Sequence, residues 1–415
     1  MMRRYLSGLN GDPDIKWDWS SVSQFLSRFE RQVAINVAYL VPHNALRLET
    51  VGFKDRPATP QELAKMQKIM AQGMREGAVG FSTGLDYFPC RYSNEEELVK
   101  ICEAVAEYGG VSVWHSRRSD LGQIESFQEV IRVAEKTGVK AHYSHYAVSN
   151  LEYQGKSAEM LALVDEARER GVDITFDSYP YIAQSTLLLL LLPRWVHEGG
   201  PDAILERLGE PKTKEKILAE IRARALPWDK FVLTCVPSQK NRGYVGKSLA
   251  EAASMAGTDV ADFVDTLLYE EKLGVGHLSL LGNEDDLQRI MQHPCHMAGS
   301  DGIIVGDRPN PRAWGTFARY LGRYSRELGV LRLEEVIRHM TAAPAGRLGL
   351  NDRGLIKEGL AADLVVFDPE TVSDTATFEK PKQHPKGIDY VLVNGAMVVD
   401  KGRHTGILNG RALLR

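Results

Sequence analysis

The chain has 415 residues, of which 43% are hydrophobic and 26% are charged, so global disorder, collagen-like structure and a disulfide scaffold are excluded. Lys and Arg total 51 against 55 Asp and Glu, and the net charge of −4 gives no indication of nucleic acid or an anionic membrane as partner. Four widely spaced cysteines and the lack of a membrane-length apolar run predict a soluble, cytoplasmic protein with buried thiols.

Short β-branched runs alternate with amphipathic helical stretches between residues 34 and 180. This alternation is typical of βα units that build a parallel sheet. Two of the helical stretches begin with patterns that predict capping boxes, one from Thr59 to Glu62 and one from Ser93 to Glu96. The predicted strands are Ala34 to Leu40, Ala78 to Ser82, Val111 to His115, Val139 to Ser144 and Val172 to Asp177.

The spacing of about 30 residues per unit predicts a (β/α)8 TIM barrel, with an open doubly wound sheet as the alternative. In such barrels the chemistry takes place at the carboxyl ends of the strands. Polar side chains occur at these positions: His115, His145, Asp177 and Tyr179 follow predicted strands, and Asp301 ends a later run.

The alternation of strand and helix patterns is lost between Tyr181 and about Gln292, which predicts an insertion before the last barrel strand. Two strand-like runs inside it, Phe231 to Val236 and Val275 to Leu281, fit barrel strands equally well. After Gly354, short alternating runs predict a small β domain. We therefore expect a barrel domain over residues 1–345, with a helical insertion at about 187–290, and a β domain over residues 346–415.

Two strand-end histidines and a later strand-end aspartate are a set of N, N and O ligands that suits zinc. His115 and His145 lie 30 residues apart on successive units, and Asp301 comes from a later strand. The alternative is that each histidine is a hydrogen-bonded core residue. The residue pattern alone leaves both interpretations open.

Ten segments of the chain follow a known family in order. They resemble the amidohydrolase superfamily and, within it, the D-aminoacylase (N-acyl-D-amino-acid deacylase) family. The segments are residues 34–47 (AINVAYLVPHNALR), 77–87 (GAVGFSTGLDY), 114–118 (WHSRR), 143–146 (YSHY), 173–181 (DITFDSYPY), 299–302 (GSDG) and 311–323 (PRAWGTFARYLGR), and then MTAAPAGRLGL, GLIKEGLAADLVVFD and YVLVNGAMVV.

The resemblance implies a zinc-dependent hydrolase, with one or two metal ions, that acts on a small N-acyl amino acid. It implies His115 and His145 as zinc ligands and Asp301 as a ligand that also moves the proton of the attacking water to the leaving amine. The positions that match the family's substrate-carboxylate site are Tyr87, Tyr179, Ser185 and Arg312.

The chain also departs from the family. Family members begin with a strand that carries His-x-His and a second strand that carries a metal-binding Cys, and no His-x-His stands at a strand end here. We therefore expect the first two βα units to be missing, which would leave open sheet edges and an aggregation-prone chain. Ala147 and Asn310 stand where Lys and His are usual, which argues against a preference for acidic substrates.

Three functions are therefore compatible with the sequence. The first is zinc-dependent hydrolysis of N-acyl-D-amino acids. The second keeps the metal chemistry but opens a cyclic amide, as hydantoinases and dihydroorotases do. The third is a catalytically inactive truncated barrel that acts as a binding module, because the expected ligand set is incomplete.

Overall fold

A parallel six-stranded sheet forms the centre of the computed structural model, which describes residues 1–414. The strands of this sheet are β1 Leu40–Pro42, β2 Gly80–Gly84, β3 Val111–His115, β4 Lys140–Tyr143, β5 Ile174–Ser178 and β9 His296–Ala298. They lie in the order β1-β2-β3-β4-β5-β9, and each pairs in parallel with its neighbours.

Helices cover one face of the sheet and leave the other face to a cavity. Side chains alternate between the faces of a strand, so Ser112 and Trp114 of β3 are buried toward the helices while Val113 and His115 point to the other face. The α-helices are α1 Met2–Tyr5, α2 Ser7–Asn10, α3 Val22–Ser27, α4 His43–Thr50, α5 Pro60–Arg75, α6 Glu95–Glu107, α7 Arg118–Leu121, α8 Gln123–Thr137, α9 Ser157–Glu169, α10 Pro201–Gly209, α11 Pro211–Arg222, α12 Leu249–Ala256, α13 Val260–Glu270, α14 Glu284–Met291, α15 Arg312–Arg319, α16 Leu333–Met340 and α17 Ala342–Leu348, and a π-helix spans Tyr320–Glu327.

Side-chain hydrogen bonds cap the N-termini of two helices that cover the sheet, α5 and α6. The predicted box is present at α5, where the Thr59 side chain accepts from the Glu62 N–H and the Glu62 carboxylate accepts from the Thr59 N–H. At α6 the predicted box is wrong by one residue, because Asn94 is the N-cap. The Ser93 hydroxyl is engaged elsewhere, since it donates to the carbonyl of Cys90 at 2.7 Å.

A separate antiparallel sheet lies within the predicted insertion. Its strands, in the order β6-β8-β7, are β6 Gln184–Leu187, β7 Phe231–Cys235 and β8 Gly276–Ser279. The two ambiguous runs of the insertion are therefore strands of this sheet and do not join the parallel one. The leucine run beside β6 packs into the core here, since Leu187 to Leu189 are fully buried.

A third sheet, antiparallel and four-stranded, lies near the C-terminus. It consists of β10 Leu364–Phe367, β11 Ile388–Val393, β12 Ala396–Asp400 and β13 Arg403–His404. Residues 410–413 run beside residues 33–37: the Val37 N–H donates to the Arg411 carbonyl, and the Leu413 N–H donates to the Val37 carbonyl. Arg415, which the predicted β domain includes, lies outside the described residues.

The parallel sheet does not close into a barrel, because β1 and β9 remain its two edges. Its strand order follows the chain and never reverses, and this argues against the doubly wound alternative, whose order reverses at a switch point. What the structure establishes is therefore an open parallel βα sheet. Over residues 1–414, no helix has the length and apolarity needed to cross a bilayer.

Candidate active site

A cavity of about 650 Å³ lies at the carboxyl ends of the parallel strands. All seven residues that the sequence analysis predicts for the site line this one cavity, although they come from separate parts of the chain. They are Tyr87, His115, His145, Tyr179, Ser185, Asp301 and Arg312.

His115 and His145 face each other on the cavity floor. The Nδ1 atom of His115 lies 2.9 Å from the Nε2 atom of His145, and the two rings are nearly perpendicular, with centroids 4.7 Å apart. Burial lowers the pKa of His145 well below its usual value, and the charges of His115 and Arg118 lower it further. The His145 imidazole is therefore neutral near pH 7, which is the form that binds metals.

His145 has a strained backbone that a neighbouring carboxylate holds in place. Its φ of +42° is in the left-handed region, which non-glycine residues rarely adopt. The Oδ1 atom of Asp177 accepts the His145 N–H at 2.7 Å, and the Oδ2 atom lies 2.9 Å from Nε2 of His142. Asp177 thus fixes the direction in which the His145 ring enters the cavity.

Asp301 and Arg312 form an ion pair beside the histidines. The Nη2 atom of Arg312 lies 2.6 Å from Oδ2 of Asp301, and the guanidinium stacks on the Tyr179 ring at 4.3 Å. Arg312 is 1% exposed, and among residues 1–414 its Nε and Nη1 atoms have no hydrogen-bond partner. Asp301 also has a positive φ, +44°, and burial raises the pKa of its carboxyl group.

Tyr87 connects this floor to the inserted sheet, which carries Ser185. The Tyr87 hydroxyl lies 2.7 Å from the Thr186 Oγ1 atom, and its ring packs on His115 with centroids 5.0 Å apart. Burial raises the pKa of Tyr87 to about 12, so its hydroxyl stays protonated. The Ser185 hydroxyl donates to the backbone carbonyl of His277 at 3.2 Å.

The sequence did not identify two charged residues that line the same cavity, Asp86 and Arg118. The Oδ2 atom of Asp86 lies 3.2 Å from Nε2 of His115. Burial by itself would raise the pKa of Asp86, but the hydrogen bond and charge of His115, together with Arg118, lower it to about 2. The sequence does contain a signal for both, because Asp86 lies in GLDY and Arg118 in WHSRR, two segments that carry the family resemblance.

The histidine pair fits two ligands of a zinc ion. Nitrogens bound to one tetrahedral zinc lie about 3.3 Å apart when each Zn–N bond is about 2.0 Å, so these two need to separate by a few tenths of an ångström. Among residues 1–414, however, no three His, Cys, Asp or Glu side chains gather closely enough to hold a metal ion. The described residues therefore fit part of a zinc site, with Asp301 turned toward Arg312.

Comparison with known proteins identifies the family. Residues 4–399 match the family model described as "Amidohydrolase family". The chain is 35% identical over 382 residues to a D-aminoacylase of Alcaligenes xylosoxydans xylosoxydans and 36% identical over 366 residues to an N-acyl-D-glutamate deacylase of the same organism. These matches cover 92% and 88% of this chain, and 71% and 67% of the relatives.

A solved structure agrees with these sequence matches. The N-acyl-D-glutamate deacylase from Bordetella bronchiseptica, complexed with zinc and a phosphonate inhibitor, superimposes with a TM-score of 0.83 at 32% identity. The match covers 99% of this chain and 78% of that protein. The family model and the two relatives above 30% identity agree, and the chain belongs to the amidohydrolase family.

Proposed function

We propose that the chain is a zinc-dependent hydrolase that removes the acyl group from N-acyl-D-amino acids. The observation that carries the proposal is that one cavity floor brings together the facing imidazoles of His115 and His145 and the ion pair of Asp301 with the buried Arg312. The relatives named D-aminoacylase and N-acyl-D-glutamate deacylase support the same reaction and the D configuration.

His115 and His145 are the residues that would hold the zinc ion. When bound, zinc supplies polarisation of the acyl carbonyl and a water molecule of lowered pKa. Asp86, at 3.2 Å from the other ring nitrogen of His115, fixes the orientation of that ring. Asp177 does the same for His145 through its backbone N–H.

Asp301 is the group that moves the proton. We assign it the role of taking a proton from the attacking water and giving it to the nitrogen of the leaving amino acid. Its ion pair with Arg312 opposes the rise in pKa that burial causes and so favours the ionised carboxylate. The +44° φ of Asp301 fixes where this carboxylate points.

Arg312 is the group that binds the carboxylate of the substrate. A buried guanidinium that keeps unpaired N–H groups beside its ion pair with Asp301 can donate hydrogen bonds to the carboxylate of a substrate. Stacking on Tyr179 holds it in one plane, and we place the hydroxyls of Tyr87 and Ser185 around the same substrate group.

We also propose the finer description of the architecture. The six parallel strands correspond to strands of an eight-stranded amidohydrolase barrel, in which the carboxyl ends carry the chemistry. The proposed domains are the barrel at residues 1–345, with its insertion at about 187–290, and the β domain at residues 346–415. The C-terminal four-stranded sheet lies within residues 346–415, and β7 and β8 lie within the insertion, whereas β6 begins at Gln184, just before it.

The test combines zinc content with turnover. The purified chain, loaded with zinc, is expected to hydrolyse N-acetyl-D-amino acids, to spare their L enantiomers, and to lose activity when a chelator removes the metal. His145→Asn is expected to abolish zinc binding, whereas His404→Asn, at an exposed histidine of β13, leaves it unchanged. Ring opening of hydantoins in preference to deacylation, or the absence of both zinc and turnover, contradicts the proposal.

A further inference from the structure

The inserted sheet forms a second polar surface of the cavity, which we call the side wall. Strand pairing places Thr186 opposite His277 and Gln184 opposite Ser279, and Phe231 pairs with Ser279 from the other side. Because side chains alternate along strands, these five residues lie on one face of the sheet. All five line the cavity.

Two polar groups of the side wall are buried without a hydrogen-bond partner. His277 is 4% exposed, and its Nδ1 atom has no partner among residues 1–414. Gln184 lies two positions before Thr186 on strand β6, and its Nε2 atom is also buried without a hydrogen-bond partner. A buried polar atom without a partner costs free energy. A ligand in the cavity can supply the partner once a flip of the His277 ring or of the Gln184 amide turns that atom toward it.

The surroundings of these groups are apolar. The ring of Phe231 stacks on His277 at 29°, with centroids 5.6 Å apart. Burial lowers the pKa of His277 to about 4, so its imidazole is neutral at neutral pH. The side wall therefore offers neutral donors and acceptors in an apolar frame. The leucines that also line the cavity include Leu190, Leu191, Leu226 and Leu281.

We propose that His277 and Gln184 form a subsite for an uncharged hydrogen-bonding group of the substrate, such as a carboxamide or a hydroxyl. This inference rests on the proposed deacylase function, because it assigns the substrate class of the same cavity. A carboxylate is disfavoured at this subsite, since a neutral imidazole against Phe231 gives a buried charge no counter-ion. Arg224, which also lines the cavity, is the cation that would bind an acidic side chain instead.

The uncharged group can belong to either part of the substrate, and matched substrates distinguish the two sources. For the amino-acid side chain, kcat/KM is compared among N-acetyl-D-glutamine, its charged isostere N-acetyl-D-glutamate, and N-acetyl-D-methionine. For the acyl group, N-glycoloyl-D-methionine is compared with N-propionyl-D-methionine. We expect one polar, uncharged member to exceed its partners by about tenfold or more, because a site built for a hydrogen bond rejects the analogue that lacks it.

The variant His277→Phe tests the residue assignment. It removes both ring nitrogens and keeps an aromatic ring, so we expect the preference to disappear because KM rises more for the polar substrate than for the methionine substrate. His197→Phe is the matched control: His197 is also fully buried with an unpartnered Nε2 atom, but it stacks on Phe88 at 4.0 Å and does not line the cavity. Gln184→Met is a second variant should His277→Phe fail to fold.

Calorimetric binding of N-acetyl-D-glutamine and N-glycoloyl-D-methionine to the metal-free protein separates this subsite from the catalytic proposal. One outcome is preferential binding that His277→Phe removes, together with no turnover by the zinc-loaded protein. This outcome contradicts the deacylase function but supports the subsite. Equal use of all substrates, or equal effects of His277→Phe and His197→Phe, overturns the subsite. A preference for N-acetyl-D-glutamate that Arg224→Gln removes overturns it as well.

Discussion

Two residues to which we assign chemical roles have backbones in the left-handed region. His145 and Asp301 have φ values of +42° and +44°, and neither is a glycine. Such conformations cost free energy and persist only where surrounding contacts enforce them. At His145 the enforcing contact is the Asp177 carboxylate, which also holds His142. Strain at both strand ends indicates that side-chain direction matters there more than local stability.

Replacing Asp177 is expected to weaken zinc binding. In Asp177→Asn, one carboxylate oxygen becomes an amide that cannot accept a hydrogen bond, so either His145 N–H or His142 loses its acceptor. We expect zinc affinity to fall by about 10- to 100-fold, the usual effect of losing a contact that orients a ligand. Chelator competition measures the affinity. Asp173→Asn, at an exposed position before β5, is the control, and unchanged affinity in Asp177→Asn contradicts the assignment.

Arg312 can be tested with a substitution that keeps its charge. Arg312→Lys preserves the cation but loses the planar pair of donors and the stacking on Tyr179. We expect kcat/KM for N-acyl-D-amino acids to fall by about 10- to 100-fold, mainly through KM, because hydrogen bonds to charged groups contribute about 1.5–3 kcal/mol. Steady-state kinetics provide the measurement. Arg308→Lys, at an exposed position on the preceding loop, should behave as the unaltered protein.

The seven residues named from the sequence all line one cavity. Five of them lie at or just after strands of the parallel sheet, whose carboxyl ends share an edge, whereas Ser185 lies on the inserted sheet and Arg312 begins helix α15. The sequence could not show that His115 has Asp86 as a partner or that Arg312 has Asp301, since these contacts join distant segments. His277 was also beyond reach, because the run that contains it fitted two different sheets.

At the level of elements, a buried charge network joins α4 and α6 behind β2. The Nε2 atom of His43 lies 2.7 Å from one Glu97 carboxylate oxygen, and Arg47 donates to the other at 2.5 Å. The Nδ1 atom of His43 contacts the Thr83 hydroxyl of β2 at 3.0 Å. Burial would raise the pKa of Glu97, but the hydrogen bonds and charges of His43 and Arg47 lower it. The network therefore fixes both helices to the strand that precedes Tyr87.

Breaking this network should be costly. Glu97→Gln leaves the fully buried Arg47 without a counter-ion, so we expect the free energy of unfolding to fall by about 3–5 kcal/mol. Denaturant unfolding measures the loss. Glu96→Gln, at the exposed neighbouring position, is the control and should change stability by less than about 0.5 kcal/mol. A small effect at Glu97 would show that the interior tolerates the lone cation.

The same network predicts a pH dependence. The pKa of Glu97 is lowered in the folded chain, so its stabilising contribution is complete above its usual pKa of 4.5 and is lost as the pH falls through the folded value. Burial also lowers the pKa of His43, so protonation of this residue in the unfolded chain favours unfolding below pH 6.5. Below pH 4.5, stability should therefore fall less steeply in Glu97→Gln than in the unaltered protein, as measured by thermal unfolding at several pH values.

The sequence predicted central elements better than peripheral ones. The bounds of β3 match the predicted run from Val111 to His115. The first predicted strand, Ala34 to Leu40, is mostly irregular, since residues 33–37 pair instead with residues 410–413, a partner that local pattern cannot reveal. Strand β6 was missed because Gln184, Ser185 and Thr186 lack apolar alternation.

For the whole molecule, exposed sheet edges are the main liability. The parallel sheet ends at β1 and β9, and β10 is an edge of the C-terminal sheet. On β10, Val365 and Val366 are 55% and 50% exposed. An exposed apolar edge strand is a template for pairing with another chain. We therefore expect the isolated chain to self-associate as its concentration rises.

A lysine on β10 should reduce this self-association. Val366→Lys places a charge on the edge strand, a common natural protection against edge-to-edge pairing. We expect lower light scattering at high concentration with little change in the melting temperature. Met255→Lys adds the same charge on helix α12, where Met255 is 58% exposed, and should leave the scattering unchanged. If both substitutions lower the scattering equally, the change comes from net charge and not from the edge strand.

The floor and the side wall of the cavity belong to different sheets, and Tyr87 and Thr186 touch across the junction between them. The reacting groups and the proposed subsite at His277 and Gln184 are therefore encoded in separate stretches of the gene. Exchange of the stretch from residue 184 to residue 281 between related proteins would transplant substrate choice while the reacting groups stay where they are. Related proteins can therefore differ in substrate preference through changes within this stretch while the residues of the cavity floor stay the same.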